Sequence, residues 1–298
     1  MATRPEIPYY APAETLPAPL PTMDQILDCD VILKRSRFDR TVRYGEHYVI
    51  KYGTGLVNLQ EGENMLFIKQ VTTIPVPTIY ALYREGGYNV IVMEYVRGTV
   101  LKKVWPQLPL VGKETFTKQI RRYIEELRDI PSPGYYGGIW EQGVLDPLLT
   151  CRLVVDPRVH PSIQTPSRTE GEWCEMMINS GFLSMPDMLP YHQEWVKHKF
   201  RTMFSNGHRP VFTHCHIINR SDLMMRPDGV IVPLGWSMAG WYPSYWEYCH
   251  ASEVAEHKDD WTEWIGEIFK GMEYVAELGW VRYWRRYMMT PSFGHVIE

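Results

Sequence analysis

The sequence predicts an α+β chain of two lobes, a small strand-rich lobe followed by a larger, mostly helical one. Three observations predict it. Short runs of β-branched and aromatic residues fill positions 31 to 52. An amphipathic stretch then leads to two further strand-like runs that end before residue 97, and from Gly98 onward helical periodicity replaces the strand pattern.

Residues 1–22 carry prolines at 5, 8, 12, 17, 19 and 21, which continue neither a helix nor a central strand. They read as an extended arm that wraps the surface or is disordered. The first lobe is expected over 23–97. Val31-Ile32-Leu33, Thr41 to Tyr44 and Tyr48 to Tyr52 read as strands, with a turn at Gly45-Glu46. Leu59 to Gln70 reads as a helix stopped by Ile74-Pro75-Val76-Pro77, and Ile79–Arg84 and Val90–Tyr95 read as strands joined through Gly86-Gly87.

The second lobe is expected over 98–298. Leu101–Leu108, Lys113–Arg128 and Met188–Phe204 read as helices, interrupted by a Pro/Gly-rich connection from Pro131 to Pro166. Short strands are expected at Pro210–Thr213 and Gly229–Val232, then helices at Trp261–Leu278 and Val281–Met289. Neither an internal repeat nor a low-complexity tract is visible beyond the proline arm.

Composition narrows the function classes. The formal net charge is −4, with 31 Lys and Arg against 35 Asp and Glu spread along 298 residues, so no basic surface for nucleic acid or anionic lipid is expected. Five dispersed cysteines form no metal-type spacing, which fits a reducing, cytoplasmic setting. No uncharged apolar stretch of ~18 residues is present to span a membrane, and no apolar signal core opens the chain. The 11 Trp, nine of them after residue 150, and the 19 Tyr read first as packing between helices and second as walls of a ligand pocket.

Five strings in order carry a resemblance: Val49-Ile50-Lys51-Tyr52-Gly53; the helix with Glu61; Ile74-Pro75-Val76-Pro77; Val92-Met93-Glu94-Tyr95-Val96-Arg97-Gly98; and Val211 to His216 with Gly235 to Pro243. Over residues 31 to 290 the chain resembles the aminoglycoside-phosphotransferase-like family, particularly its fungal branch. The resemblance implies a two-lobed protein-kinase-like fold with a ligand cleft between the lobes. It also implies a Lys51–Glu61 pair of the kind that grips nucleotide phosphates.

The departures from that family weigh more than the matches. Its catalytic loop reads H-G-D-L-H-x-x-N, followed later by I-D-W. Here the loop is His214-Cys215-His216-Ile217-Ile218-Asn219-Arg220-Ser221 and the later triplet is Leu234-Gly235-Trp236. The resemblance therefore places His216 at the base aspartate, Ser221 at the metal-binding asparagine and Gly235 at the magnesium aspartate. Magnesium prefers hard oxygen ligands in near-octahedral order, and neither a serine hydroxyl nor a glycine replaces them. Asp222 falls one residue further on; a one-residue shift on a strand reverses the face, so it reads as a turn or cap residue beside Arg220 and Ser221.

The expectation is a kinase-fold protein without phosphotransferase activity, needing no cofactor and no ATP or magnesium. It reuses the cleft for a cyclisation, pericyclic reaction or isomerisation of a hydrophobic small-molecule metabolite. His216, with His214 or Lys51 as partner, is the candidate proton donor. Glu61, Cys215, Ser221, Gly235, Trp236, Met238, Trp241 and Tyr242 are expected to contact substrate. Two alternatives stand beside it: a non-catalytic pseudokinase that binds a small molecule or protein, and a divergent kinase with His216 as base.

Overall fold

The computed structural model describes residues 2–54, 57–146, 149, 165–182, 188–204, 207–254 and 259–289. Much of the Pro131–Pro166 connection, and Cys151 with it, lies outside the described residues. The chain divides into two units: Met1–Phe116 with Arg220–Ser237, and Thr117–Asn219 with Met238–Glu298. The expected boundaries stood at 22 and 97.

The first unit is built on a six-stranded antiparallel sheet in the order β1-β5-β6-β4-β3-β2: β1 (Tyr9–Tyr10), β2 (Ile32–Arg35), β3 (Asp39–Tyr44), β4 (Tyr48–Gly53), β5 (Ile79–Glu85) and β6 (Tyr88–Glu94). Alternation along these strands divides the side chains between two faces. Leu82, Ile91 and Lys51 share one face, which α2 (Gln60–Val71) covers so closely that a Cβ on Gly62 would stand 2.2 Å from Leu82. Val42, Ile50, Tyr52, Val90 and Val92 form the other face, against Ile26 of α1 (Met23–Leu27) and Leu16, Ala18 and Leu20 of the arm.

Of the two expected behaviours of the arm, the structure shows wrapping. β1 extends the sheet, with Tyr9 opposite Leu82 and Tyr10 opposite Ala81. Arg4 pairs with Glu63 at 3.0 Å, Tyr48 donates its hydroxyl to Ala18 O, and Thr22 and Gln25 form a capping box at α1. The prolines fit because an edge segment needs few donors on its outer side.

A small sheet in the order β10-β9-β7 joins β7 (Thr99–Val100), β9 (Leu223–Met225) and β10 (Ile231–Pro233) in the same unit. The expected helix after Leu101 is one short turn, α3 (Leu101–Val104), followed by a 3-10 turn that contains Pro106.

The second unit is mainly helical. α4 (Leu110–Asp129) enters it, and β8 (Pro210–Thr213) pairs with β11 (Gly240–Pro243). The remaining helices are α5 (Glu170–Phe182), α6 (Pro190–Met203), α7 (Trp246–Val254), α8 (Trp261–Ile268) and α9 (Val275–Met289). Helix α5 was not expected. Nor was the break between α8 and α9, where Gly271 adopts φ +79° and turns the chain, whereas Gly279, the expected boundary, lies inside α9. The unit's core collects Trp173, Tyr242, Tyr245, Trp246, Trp280 and Trp284, each at most 5% exposed.

Candidate functional site

In the first unit, β4 presents Lys51 on the face that α2 covers, and Lys51 Nζ donates to Glu61 Oε1 at 2.6 Å. The lysine side chain is 27% exposed and the glutamate 7%, so the pair joins a nearly buried carboxylate to a cation that still meets solvent. One turn along α2, Asn64 Nδ2 donates to Trp236 O at 2.7 Å, and Trp236 Nε1 donates to Pro233 O. The helix therefore holds both the lysine partner and the segment after β10.

Gly235 lies in that segment at φ +77°, a backbone region that residues with a Cβ seldom enter. A Cβ built there would lie 3.6 Å from Asp222 Cγ and 3.8 Å from Asp222 Oδ1. The turn reading of Asp222 needs correction on this point: its carboxyl faces the position from which a side chain on residue 235 would project. Residue 222 precedes β9 rather than lying on it, so strand alternation does not set its direction, and Leu234 N donates to its carbonyl at 2.7 Å. Ser221, on the turn before it, is exposed. Gly235→Ala is expected to cost about 1 kcal/mol from backbone strain alone, since the new methyl meets Asp222 at ordinary distance; urea unfolding measures it.

The second unit holds the His214-Cys215-His216 loop. Glu247, at the start of α7, is 3% exposed, and its Oε2 accepts from His214 N at 2.8 Å and Cys215 N at 3.1 Å. Cys215 sits at φ +69°, a left-handed conformation in which successive N–H groups converge on one acceptor. His216 N donates to His214 Nδ1 at 3.1 Å, which leaves Nε2 to carry the proton of a neutral His214 ring. Asn219 N then closes a turn on His216 O, and Trp261 Nε1 donates to Ile218 O. The loop backbone is held from both sides.

Burial separates the expected site residues. His214 and Cys215 are 0% exposed, while His216 keeps partial solvent access. Trp236, Met238, Trp241 and Tyr242 are 0–4% exposed; they pack in the core and, as placed, offer no surface to a ligand, contrary to the expected pocket edge. Tyr242 donates to Met238 O at 2.7 Å and stacks on Trp246, and Phe212 meets Trp241 edge to face at 5.2 Å. Burial drives the Cys215 thiol and the Tyr242 phenol well above their ordinary pKa values, so neither supplies an anion near neutrality.

Sequence reasoning missed three buried polar residues behind the loop: Asp146, Glu247 and His250. Asp146 is 0% exposed and accepts from Trp246 Nε1 at 2.7 Å. Burial raises the Glu247 carboxyl to about 7 against the pull of three backbone N–H groups, and lowers the His250 imidazole to about 4. The His216 and His250 rings lie 5.1 Å apart, tilted by 57°. None of the three shows a local sequence motif. The one available signal is an acidic residue at the head of the helix that follows the β11 strand.

No protein-family model matches the chain, and no curated protein does. Solved structures do match. The aminoglycoside phosphotransferase APH(4)-Ia aligns with a TM-score of 0.56 at 9% identity, covering 86% of this chain and 83% of that one. The fold is that of the aminoglycoside phosphotransferases. The streptomycin–ATP ternary complex of APH(2")-IIa aligns at 0.53 and 12% identity, and ADP-bound APH(2'')-Ib at 0.52 and 13%, each over 86% of this chain and 80% of that one. At these identities the likeness establishes the protein-kinase-like architecture, and side-chain chemistry has to be argued from this chain.

A nucleotide with magnesium is what such a fold implies, and the residues present fit it in part. Lys51 and Glu61 fit a phosphate grip. The positions to which the resemblance assigns a metal fit poorly: a hydroxyl at 221, no side chain at 235, and one carboxylate, Asp222, beside residue 235. Among the described residues no group of three or more His, Cys, Asp or Glu side chains is placed to hold a metal ion. No helix of the described residues is long and apolar enough to cross a membrane.

Proposed function

We propose that this chain is a kinase-fold protein that does not transfer phosphoryl groups and instead promotes a metal-independent rearrangement of a hydrophobic small molecule. The reaction class is a cyclisation, a pericyclic step or an isomerisation. The observation that carries the reading is the His216 loop: an imidazole stands where the resembled family has its base carboxylate, with partial solvent access, on a backbone fixed by buried Glu247. An imidazole both donates and accepts a proton near neutrality. Positioning by a rigid loop supplies the rest of such chemistry without a metal.

The substrate class follows from charge. An imidazole, a hydroxyl and a glycine at the three positions supply no metal-binding carboxylate to neutralise a triphosphate, whereas an uncharged ligand needs no such compensation. In the first unit Lys51 is held by Glu61 and still meets solvent, a cation that the resemblance assigns to ligand contact.

The test is a thermal-shift panel of polycyclic terpenoids and polyketides, followed by turnover of any that stabilise the protein. His216→Ala is expected to abolish turnover, at least 100-fold, with an unchanged melting temperature. Full activity in His216→Ala would remove His216 from the chemistry.

One observation favours a second reading. The Asp222 carboxyl beside Gly235 supplies an oxygen donor close to the missing aspartate, which would suit a divergent phosphotransferase with His216 as base. Magnesium-dependent stabilisation by ATP, lost in Asp222→Asn, would establish that reading over the first.

A further inference from the structure

The sheet of the first unit carries a concave site away from Lys51. It lies around the β2–β3 hairpin and opens a cavity of about 570 Å³, within the roughly 300–1,000 Å³ typical of small-molecule pockets. Its walls come from the strand face opposite Lys51. Arg40 pairs with Tyr52 in the β3–β4 ladder, and Thr41 pairs with Lys51, so alternation sends Arg40 and Tyr52 to the α1 side. Arg35, across from Arg40 on β2, and Tyr88, edge to face with Tyr52 at 5.9 Å, line the same cavity, as does Leu27 of α1.

The cavity is cationic in a chain whose net charge is −4. Arg35, Arg37 and Arg40 all line it, and among the described residues none of the three forms an ion pair; Arg40 reaches only the Tyr52 hydroxyl, at 3.5 Å. One acid lines it, Asp39, and that carboxylate is engaged in shaping the hairpin. Its Oδ2 accepts from Ser36 Oγ at 3.2 Å and its Oδ1 from Val57 N at 3.2 Å. Two excess positive charges therefore face one concavity, where guanidinium forks match carboxylate and phosphate oxygens in pairs. Phe38, 47% exposed with the Arg37 guanidinium over its ring at 5.1 Å, and Tyr88 add ring surface beside them.

We propose that this groove binds an anionic small molecule bearing a planar ring, with the anion held by Arg35, Arg37 and Arg40 and the ring against Phe38 and Tyr88. This site is distinct from the Lys51–Glu61 pair, from which the sheet separates it, and does not depend on the reading given for His216.

Calorimetric titration of the full chain without magnesium tests it, using 1-naphthyl phosphate, 1-naphthoate, 1-naphthol and inorganic phosphate as probes. Both naphthyl anions are expected to bind at least ten-fold tighter than naphthol or phosphate alone, and to weaken as salt rises from 50 to about 500 mM. A stronger response to the phosphate than to the carboxylate identifies the preferred anion. Arg35→Ala/Arg37→Ala, both exposed positions, should reduce that affinity at least ten-fold, and Lys51→Met should leave it unchanged. Failure of both naphthyl anions to bind, binding unaffected by the double arginine variant, or binding lost in Lys51→Met would overturn the proposal.

Discussion

Trp246→Ala is expected to lower the unfolding free energy by about 5 kcal/mol, the largest single effect in the second unit. The indole is 1% exposed, stacks on Tyr242 at 5.8 Å and meets Trp173 edge to face at 5.5 Å. Truncation leaves a cavity among rigid rings that cannot close it, which places the cost near ~3–5 kcal/mol before polar terms. It also removes the Nε1 donor that serves the fully buried Asp146 carboxyl, and losing a hydrogen bond to a buried acceptor adds ~1–3 kcal/mol. Trp246→Phe separates the two contributions, since it refills most of the ring volume and omits the donor. Chemical denaturation of both variants gives the two numbers.

The second large effect concerns pH. The Glu247 carboxyl stands at about 7 in the fold against 4.5 ordinarily, so its contribution to stability is fully present below 4.5 and lost as pH rises through 7. At ~1.36 kcal/mol per pH unit that interval corresponds to about 3 kcal/mol. His250 runs the other way: held at about 4 against 6.5, it contributes above 6.5 and loses that contribution as pH falls through 4. Between 4.5 and 6.5 the two slopes offset, and the wild-type profile is expected to be nearly flat there. Glu247→Gln keeps a carbonyl to accept from the loop N–H groups and removes the titration. Its stability should fall by ~3 kcal/mol on acidification from pH 6.5 to 4, with the His250 slope now unopposed. A Glu247→Gln profile parallel to wild type would show that the buried carboxyl does not titrate in this range.

Most of the first unit was legible because its strands alternate in the open. Thr41-Val42-Arg43-Tyr44 and Tyr48 to Tyr52 show their two faces residue by residue, and the Lys51–Glu61 pair follows from a strand and a helix recognised in order. The arm was half legible: its prolines exclude a regular helix, but they say nothing of Tyr9 and Tyr10 pairing with β5. Helix α5 escaped because it begins just beyond Pro166, at the end of a proline- and glycine-rich stretch; its start is marked by Thr169 Oγ1 accepting from Glu172 N and Glu172 Oε2 accepting from Arg168 N.

The loop was visible in the sequence as departures from a pattern, while the supports of the loop were not. Glu247 and Asp146 are acids buried far in sequence from what they hold, and no local period marks a residue whose partners lie 32 or 100 positions away. Asp222 was misread for a related reason. It precedes the strand, so alternation does not set its direction, and the carboxyl lies beside Gly235. The aromatic excess also divides on three-dimensional grounds: Trp241, Tyr242 and Trp246 are packing, and among the exposed rings Phe38 lines a concave wall.

We propose that this kinase fold keeps its Lys51–Glu61 pair yet lacks a working nucleotide–metal site. Thermal unfolding of the full chain with ATP, with and without magnesium, tests it most directly. The account predicts no magnesium-dependent stabilisation at millimolar ATP. Stabilisation approaching the ~2.7 kcal/mol expected for a ligand at 100 times its dissociation constant, present only with magnesium and abolished in Lys51→Met, would contradict it.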